Sequence, residues 1–216
     1  MLAADTQTLG RGRWDRSWYS PPKKGLYASV LLYRGKSQAT HFHLLTLGVA
    51  VALVRVLENH TGLSFEMRWP NDIYISNKKI AGILTEEYRQ FWIIGIGVNL
   101  LGPPQSFPKD LAEQATTLEH ESGQTLSPGH ALQSFLDVLE SYLLESLRKN
   151  PEQIVTDWQL GSHMLGKPVM LRAHGQKGEE VVRGIAERIS PAGELIVRTF
   201  NGKLRKFISG EIIHVG

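Results

Sequence analysis

The 216-residue sequence contains no cysteine. This excludes disulfides, thiolate metal sites and a cysteine nucleophile together, and it makes a cytoplasmic setting the expectation. Also missing is any unbroken apolar run of the roughly 18 residues that would mark a membrane span. The longest stretch, Leu44 to Leu57, is interrupted by Thr46, Gly48 and Arg55 and reads as a buried helix, so no membrane association is expected. A signal peptide is not expected either, because Asp5 and a Gly-Arg cluster arrive before an apolar h-region can form. Charge of one sign is scarce: the net value is only +3. From Ser162 onward nine Lys or Arg face five Asp or Glu, so this tail carries +4 and the remainder −1. Such a tail fits nucleic acid, an acidic protein partner, or solubility alone.

What is present describes an ordinary globular chain. With 42% hydrophobic and 21% charged residues it can bury a real core, and its length accommodates one domain plus a small second one. Leu26 to Tyr33 reads as a strand and His41 to Asn59 as a helix stopping near Thr61-Gly62. Ser64 to Trp69 reads as a short strand. A hairpin follows, with Ile73 to Ile75, a turn at Ser76-Asn77-Lys78, and Lys79 to Tyr88. Phe91 to Asn99 is a further strand whose glycines allow close approach of a ligand or neighbour. Ser127-Pro128 starts a helix running to about Lys149, and Asn150-Pro151 starts a second through Leu160. Beyond Met164 four short β-rich segments, Val169 to Ala173, Glu180 to Ile189, Glu194 to Phe200 and Lys203 to Ile208, alternate with Gly/Pro/Asn turns, the pattern of a small antiparallel barrel or sandwich. The expected division is therefore residues 1–161 and 162–216.

Two clusters carry chemistry. In Gly10-Arg11-Gly12-Arg13, followed by Arg16 and Trp18, three arginines crowd within a short span and repel one another unless an anion joins them. Glycines between them let backbone N–H groups face that anion, and Trp18 offers a flat apolar surface. The cluster reads as a phosphate clamp or as a loose nucleic-acid arm. The second cluster is Arg68-Trp69-Pro70-Asn71-Asp72 followed by Lys78-Lys79-Ile80-Ala81-Gly82-Ile83-Leu84. Counting by two from Lys79 puts Ala81 and Ile83 on its face of the strand, where a partly desolvated lysine acts strongly on a carboxylate or phosphate. The alternative is a hairpin tip with two solvated lysines. His41 and His43 have a spacing that a metal accepts, but they read as capping or surface residues. Glu86-Glu87 reads as solvated, and Trp158 as packing between the two domains.

Taken in series, the motifs resemble the biotin–protein ligase family, whose catalytic core also occurs in bacterial biotin repressors. The matching pieces are Thr6 to Arg13 with Trp18, Gly25-Leu26-Tyr27, Trp69-Pro70-Asn71-Asp72, Lys79 to Leu84, Gly95-Ile96-Gly97-Val98-Asn99, Ala115-Thr116-Thr117-Leu118, and Gly210-Glu211 in the terminal β-segment. The resemblance implies an α+β fold: a catalytic domain like that of class II aminoacyl-tRNA synthetases, with a central mixed sheet and flanking helices, plus a small C-terminal SH3-like barrel. It implies activation of biotin with ATP and Mg²⁺ (the metal bound through ATP, with no dedicated protein site), then transfer to a lysine of a biotin carboxyl carrier domain. The implied biotin contacts are Gln7, Gly10, Arg11, Trp18, Lys79 and Gly82. Those to ATP or the adenylate are Arg13, Arg16, Lys79 and Asn99. Lys79, Arg13 and Asp72 are the implied catalytic residues.

Family members normally place a strand, a helix and a Ser-Thr-Asn-like biotin motif before the Gln7 segment. Here the sequence starts shortly before Gln7, so a pocket short of one wall is expected. With no helix-turn-helix ahead of it, no DNA-binding role is expected. A lipoate ligase on a related fold, a non-catalytic relative that only binds biotin or its adenylate, and an RNA-binding β-module are the competing readings. The last is weakened because Phe200 and Phe207, the aromatics available to it, read as core. Sheet-edge homodimers are common in the family, and no residue here specifies one.

Overall fold

The computed structural model describes residues 1–34, 42–175 and 178–216. His41 lies outside them. The first sheet contains β1 (Leu2–Ala4), β2 (Gly25–Tyr33), β3 (Glu66–Arg68), β4 (Asp72–Ile75), β5 (Lys78–Tyr88) and β6 (Phe91–Asn99), in the order β1-β2-β6-β5-β4-β3. Every ladder between these strands is antiparallel, and short hairpins join β3 to β4, β4 to β5 and β5 to β6. Among the described residues, the mixed character expected of the sheet rests on a single parallel bridge, from Lys79 to Ala115.

Alternation along the strands gives the sheet two different faces. Ile94, Ile96 and Val98 of β6 and Leu26, Ala28 and Val30 of β2 are buried in the apolar core. Between them on β6 sit Gly95 and Gly97, which leave the opposite face bare of side chains there. The helical layer comprises α1 (Phe42–Thr61), α4 (Pro128–Val138), a π-helical turn over Leu139–Leu144, α5 (Glu145–Lys149) and α6 (Glu152–Leu160); the short helices α2 (Lys109–Ala112) and α3 (Leu118–Ser122) lie between α1 and α4 in the chain. α1 is long and apolar enough to cross a membrane by length and composition alone, yet Leu44 through Leu57 are buried almost without a break. It is a core helix because nearly its whole circumference meets protein. Ser127 caps α4 by accepting from the His130 N–H at 3.2 Å. Asn150 makes no corresponding cap for α6, whose N-cap is Pro151.

The second sheet contains β7 (Pro168–Gly175), β8 (Gly178–Ile189), β9 (Leu195–Thr199), β10 (Leu204–Phe207) and β11 (Glu211–Val215) in the antiparallel order β10-β9-β8-β7-β11. Its edge strands β10 and β11 carry no ladder between them among the described residues. β11 escaped the sequence reading, because only a short turn at Ile208–Gly210 separates it from β10. Phe207 is buried as expected, but Phe200 is 70% exposed in the β9–β10 turn, where no strand neighbour covers it. The core runs without interruption from α1 through Trp158 and Met164 into Leu171, Ala186 and Val197 of the second sheet. The seam is also pinned by polar contacts: the Trp69 indole N–H donates to the Gly193 carbonyl at 3.2 Å, and Ile189 N–H donates to Gln159 Oε1 at 2.9 Å.

Candidate active site

The Gly-Arg segment folds as a miniature hairpin. Gly12 N–H donates to Arg16 O at 2.6 Å and Trp18 N–H to Gly10 O at 2.8 Å, around a 3-10 turn at Arg13–Asp15. Gly10 is obligatory at its base: a Cβ there would lie 2.4 Å from the Trp18 carbonyl oxygen. Trp14 and Asp15 at the tip have φ of 52° and 57°, a left-handed backbone that non-glycine residues adopt at a cost. The hairpin lies over the bare face of the first sheet and encloses with it a cavity of about 310 Å³.

The floor of that cavity is glycine. The Trp18 ring rests on it so closely that a Cβ on Gly97 would be 2.4 Å from the indole and one on Gly82 3.0 Å. The indole N–H is buried and has no acceptor among the described residues. Beside it Lys79 Nζ makes an ion pair with Asp72 Oδ1 at 2.6 Å and stands 5.6 Å from the Trp18 ring centroid.

Lys79 reaches this face through an irregularity. β4 and β5 pair Asp72 with Gly82 and Ile73 with Ala81, but then Tyr74 with Lys79, so Ile80 is an extra residue on β5. A bulge of this kind reverses the side-chain alternation beyond it. Lys79 therefore shares a face with Gly82 and Leu84, and the expectation that it faces with Ala81 and Ile83 is corrected. Those two, like Ile80, are buried in the core.

The arginines divide their partners. Arg13 Nη1 donates to Gly210 O at 3.0 Å and to Asn71 Oδ1 at 3.4 Å, while Nη2 donates to Ser209 Oγ at 3.4 Å. Burial of this guanidinium lowers its pKa, against the opposing pull of Asp72 and Glu211. Arg16 grips both oxygens of Glu211 at 2.5 and 2.6 Å, and Arg172 reaches the same carboxylate at 3.1 Å. Arg11 is largely exposed, 3.6 Å from Glu86. The first lobe's hairpin is thus tied to β11 of the second.

Gln7, Arg11, Arg13, Arg16, Trp18, Asp72, Lys79, Gly82 and Asn99 all line the one cavity. Gln7 is fixed there by Ser20 Oγ, which donates to its Oε1 at 2.8 Å. Gly10 is not in the wall; it closes the base of the hairpin. Tyr74 lines the cavity without having been named, and Arg68 and Glu211, named within their motifs but given no role, line it as well. Tyr74 stands two residues beyond Asp72, so alternation alone would have found it; burial raises its hydroxyl pKa to about 12. The Arg68 guanidinium stacks 3.9 Å from the Tyr74 ring centroid. Glu211 had no such signal, since it arrives from the other lobe. An apolar stretch of wall comes from Phe107, Leu111 and Ala115. Among the described residues no group of three or more His, Asp or Glu is arranged to hold a metal ion. The arrangement can hold a flat apolar group beside the Trp18 indole while presenting ammonium and guanidinium groups to anions at its end.

Comparison with known proteins agrees with this geometry. Residues 2–99 match the model of the biotin/lipoate A/B protein ligase family, and residues 164–215 match the biotin protein ligase C-terminal domain. The biotin–[acetyl-CoA-carboxylase] ligase of Paracoccus denitrificans is 31% identical over 91% of this chain and 83% of its own length. The bifunctional ligase/repressor BirA of Bacillus subtilis is 33% identical over 98% of this chain, which spans 65% of that longer relative. The biotin protein ligase of Aquifex aeolicus, solved in complex with biotin and ATP, superposes with a TM-score of 0.85 at 29% identity, covering 98% of this chain and 86% of its own. In fold, motif order and terminal β-domain alike, this chain belongs to the biotin–protein ligase family.

Proposed function

We propose that the chain is a biotin–protein ligase that activates biotin with ATP and passes it to a lysine of a biotin carboxyl carrier domain. The carrying observation is the convergence of Lys79, Arg13 and Arg16 on one cavity floored by Gly82 and Gly97. In the first step the biotin carboxylate oxygen attacks the α-phosphorus of ATP, and the bond to pyrophosphate breaks. Two anions must approach each other, and fixed cations in a partly desolvated cavity lower that barrier. Lys79 would span the carboxylate and α-phosphate, with Arg13 and Arg16 on the phosphate side and Asn99 toward the base. Gln7, the Arg11 backbone and Trp18 would surround the biotin ring system. Mg²⁺, carried in on the nucleotide, suits a cavity whose carboxylates are only Asp72 and Glu211, because this ion is commonly held by phosphates, waters and one or two carboxylates; it would add further positive charge at the phosphates. In the second step the acceptor amine attacks the acyl carbon of the mixed anhydride, AMP leaves, and the amine proton is lost. Asp72, beside Lys79 in the cavity wall, would orient that amine.

The hairpin that covers the cavity also fits this chemistry, since water would destroy the anhydride. A transfer assay with labelled biotin against labelled lipoate, using an isolated carrier domain, tests the reading. Incorporation of biotin alone supports it, and incorporation of lipoate alone overturns it. Biotin binding measured by titration calorimetry with no pyrophosphate release on adding ATP replaces it with the non-catalytic binder.

A further inference from the structure

Lys79 is held by backbone from outside its own hairpin. The ladder between β5 and β6 starts only at Ala81, beyond the bulge at Ile80. At Lys79 that edge of the strand is taken over by the segment 114–116. The Lys79 N–H donates to Gln114 O at 2.8 Å, and the Lys79 carbonyl accepts from Thr116 N–H at 3.0 Å. Thr116 is fully buried, and its hydroxyl donates to Glu121 Oε1 at 2.6 Å. The other oxygen of Glu121 accepts from Ser76 Oγ at 2.9 Å. Ser76 belongs to the turn just before Lys79. One carboxylate therefore ties the chain ahead of Lys79 to the chain alongside it.

We propose that Thr116, Glu121 and Ser76 are positioning residues that set the direction of the Lys79 ammonium. None of the three lines the cavity. The relay acts through the main chain: a bulge interrupts the regular ladder, and without lateral bonds the Lys79 peptide is free to tilt. A tilt there is carried along a long side chain to the ammonium, and a misplacement of about 1 Å at a reacting centre costs on the order of 100-fold in rate. This inference rests on the reading of Lys79 as the cation at the reacting carboxylate and phosphate.

The test uses the whole chain with three substitutions. Thr116→Val keeps the shape and deletes the hydroxyl; Thr116→Ser restores it. Ser76→Gly removes the second hydroxyl at an exposed position whose φ of 50° glycine tolerates, so a folded variant is available if Thr116→Val does not fold. In biotin-dependent ATP–pyrophosphate exchange, kcat is expected to fall about 10- to 100-fold in Thr116→Val, to recover in Thr116→Ser, and to fall less in Ser76→Gly. In a Lys79→Ala background, Thr116→Val is expected to change nothing further, because the group it positions is gone. Unchanged kcat in a folded Thr116→Val variant, or an equal loss with and without Lys79, overturns the relay. Acetic anhydride labelling of Lys79 relative to Lys78, read by mass spectrometry without substrates, separates this inference from the functional reading. An inactive wild-type chain sinks that reading alone, while Lys79 labelling several-fold faster in Thr116→Val or Ser76→Gly still supports the relay and equal labelling overturns it.

Discussion

Arg16 and Glu211, nearly the whole chain apart in sequence, meet in a two-pronged ion pair at 2.5 and 2.6 Å. That pair, with Arg13 on the Gly210 carbonyl, is what fastens the hairpin over the cavity. Glu211→Gln should loosen it without disturbing either lobe's core. Trypsin should then cut after Arg13 or Arg16 about tenfold faster, the effect of losing a charge-assisted bidentate contact. Equal cleavage rates would show that the hairpin is held by other means.

The same anchor has a pH signature. Hydrogen bonds from Arg16 hold the Glu211 carboxyl below its ordinary range. A carboxyl with a lowered folded-state pKa adds stability that is complete above its unfolded value and is lost as pH falls through the folded one. Opening of the wild-type hairpin, read as hydrogen exchange of the Gly12 and Trp18 amides at each pH, should therefore rise only below the normal carboxylate range, and Glu211→Gln should abolish that dependence.

Lys79→Met leaves the Asp72 carboxylate without its cation and removes the ammonium from the cavity. Biotin-dependent pyrophosphate release should drop by about 100- to 1,000-fold, the scale seen when one preorganised charge-stabilising group is removed. Arg13→Ala should resemble it in rate and, in addition, shorten the lifetime of bound adenylate. A near-wild-type rate in Lys79→Met defeats the assignment.

Gly97→Ala puts a methyl group 2.4 Å from the Trp18 indole. The ring cannot stay, so tryptophan emission should shift toward the red in the free protein. Biotin affinity should fall by about 100-fold, because the displaced indole no longer forms its part of the cavity wall. Unchanged emission would mean that the indole does not rest on the floor in solution.

Away from the site, Asp157 accepts from Arg55 at 2.8 Å, Tyr142 at 2.7 Å and Gln153 at 2.7 Å, joining α1, the π-helical turn and α6. Asp157→Ala strands these donors and should cost about 2 kcal/mol of stability in urea unfolding, with little change in the pyrophosphate exchange rate.

The limits of reading the sequence are local and physical. The resemblance of the motif series to a known family brought Gln7, the arginines, Lys79 and Asn99 toward one ligand before any fold was known; composition and spacing alone did not. The face of Lys79 was misjudged because nothing in Lys79-Ile80-Ala81 marks Ile80 as a bulged residue; the bulge exists only relative to β4. Glu211 was invisible as a cavity residue since Arg16 reaches it from the other lobe, and Arg172 stands opposite it only once β7 and β11 pair. Phe200 looked like core because an aromatic at a strand end has the same local pattern whether or not a neighbour covers it. The short β11 was lost for the opposite reason, its boundary being a turn with a single glycine.

The seam at Gly193 carries a mechanical consequence. A Cβ there would crowd the start of α1, 3.2 Å from the His43 carbonyl carbon, and the Trp69 indole clasps the Gly193 carbonyl. Two bodies locked at a bare pivot and sharing one core cannot swing apart like jaws. The arginine hairpin, anchored to β11 through Arg16, is then the part of the cavity wall free to shift by itself, so a cross-link between that flap and β11 should slow the exchange of whatever the cavity holds.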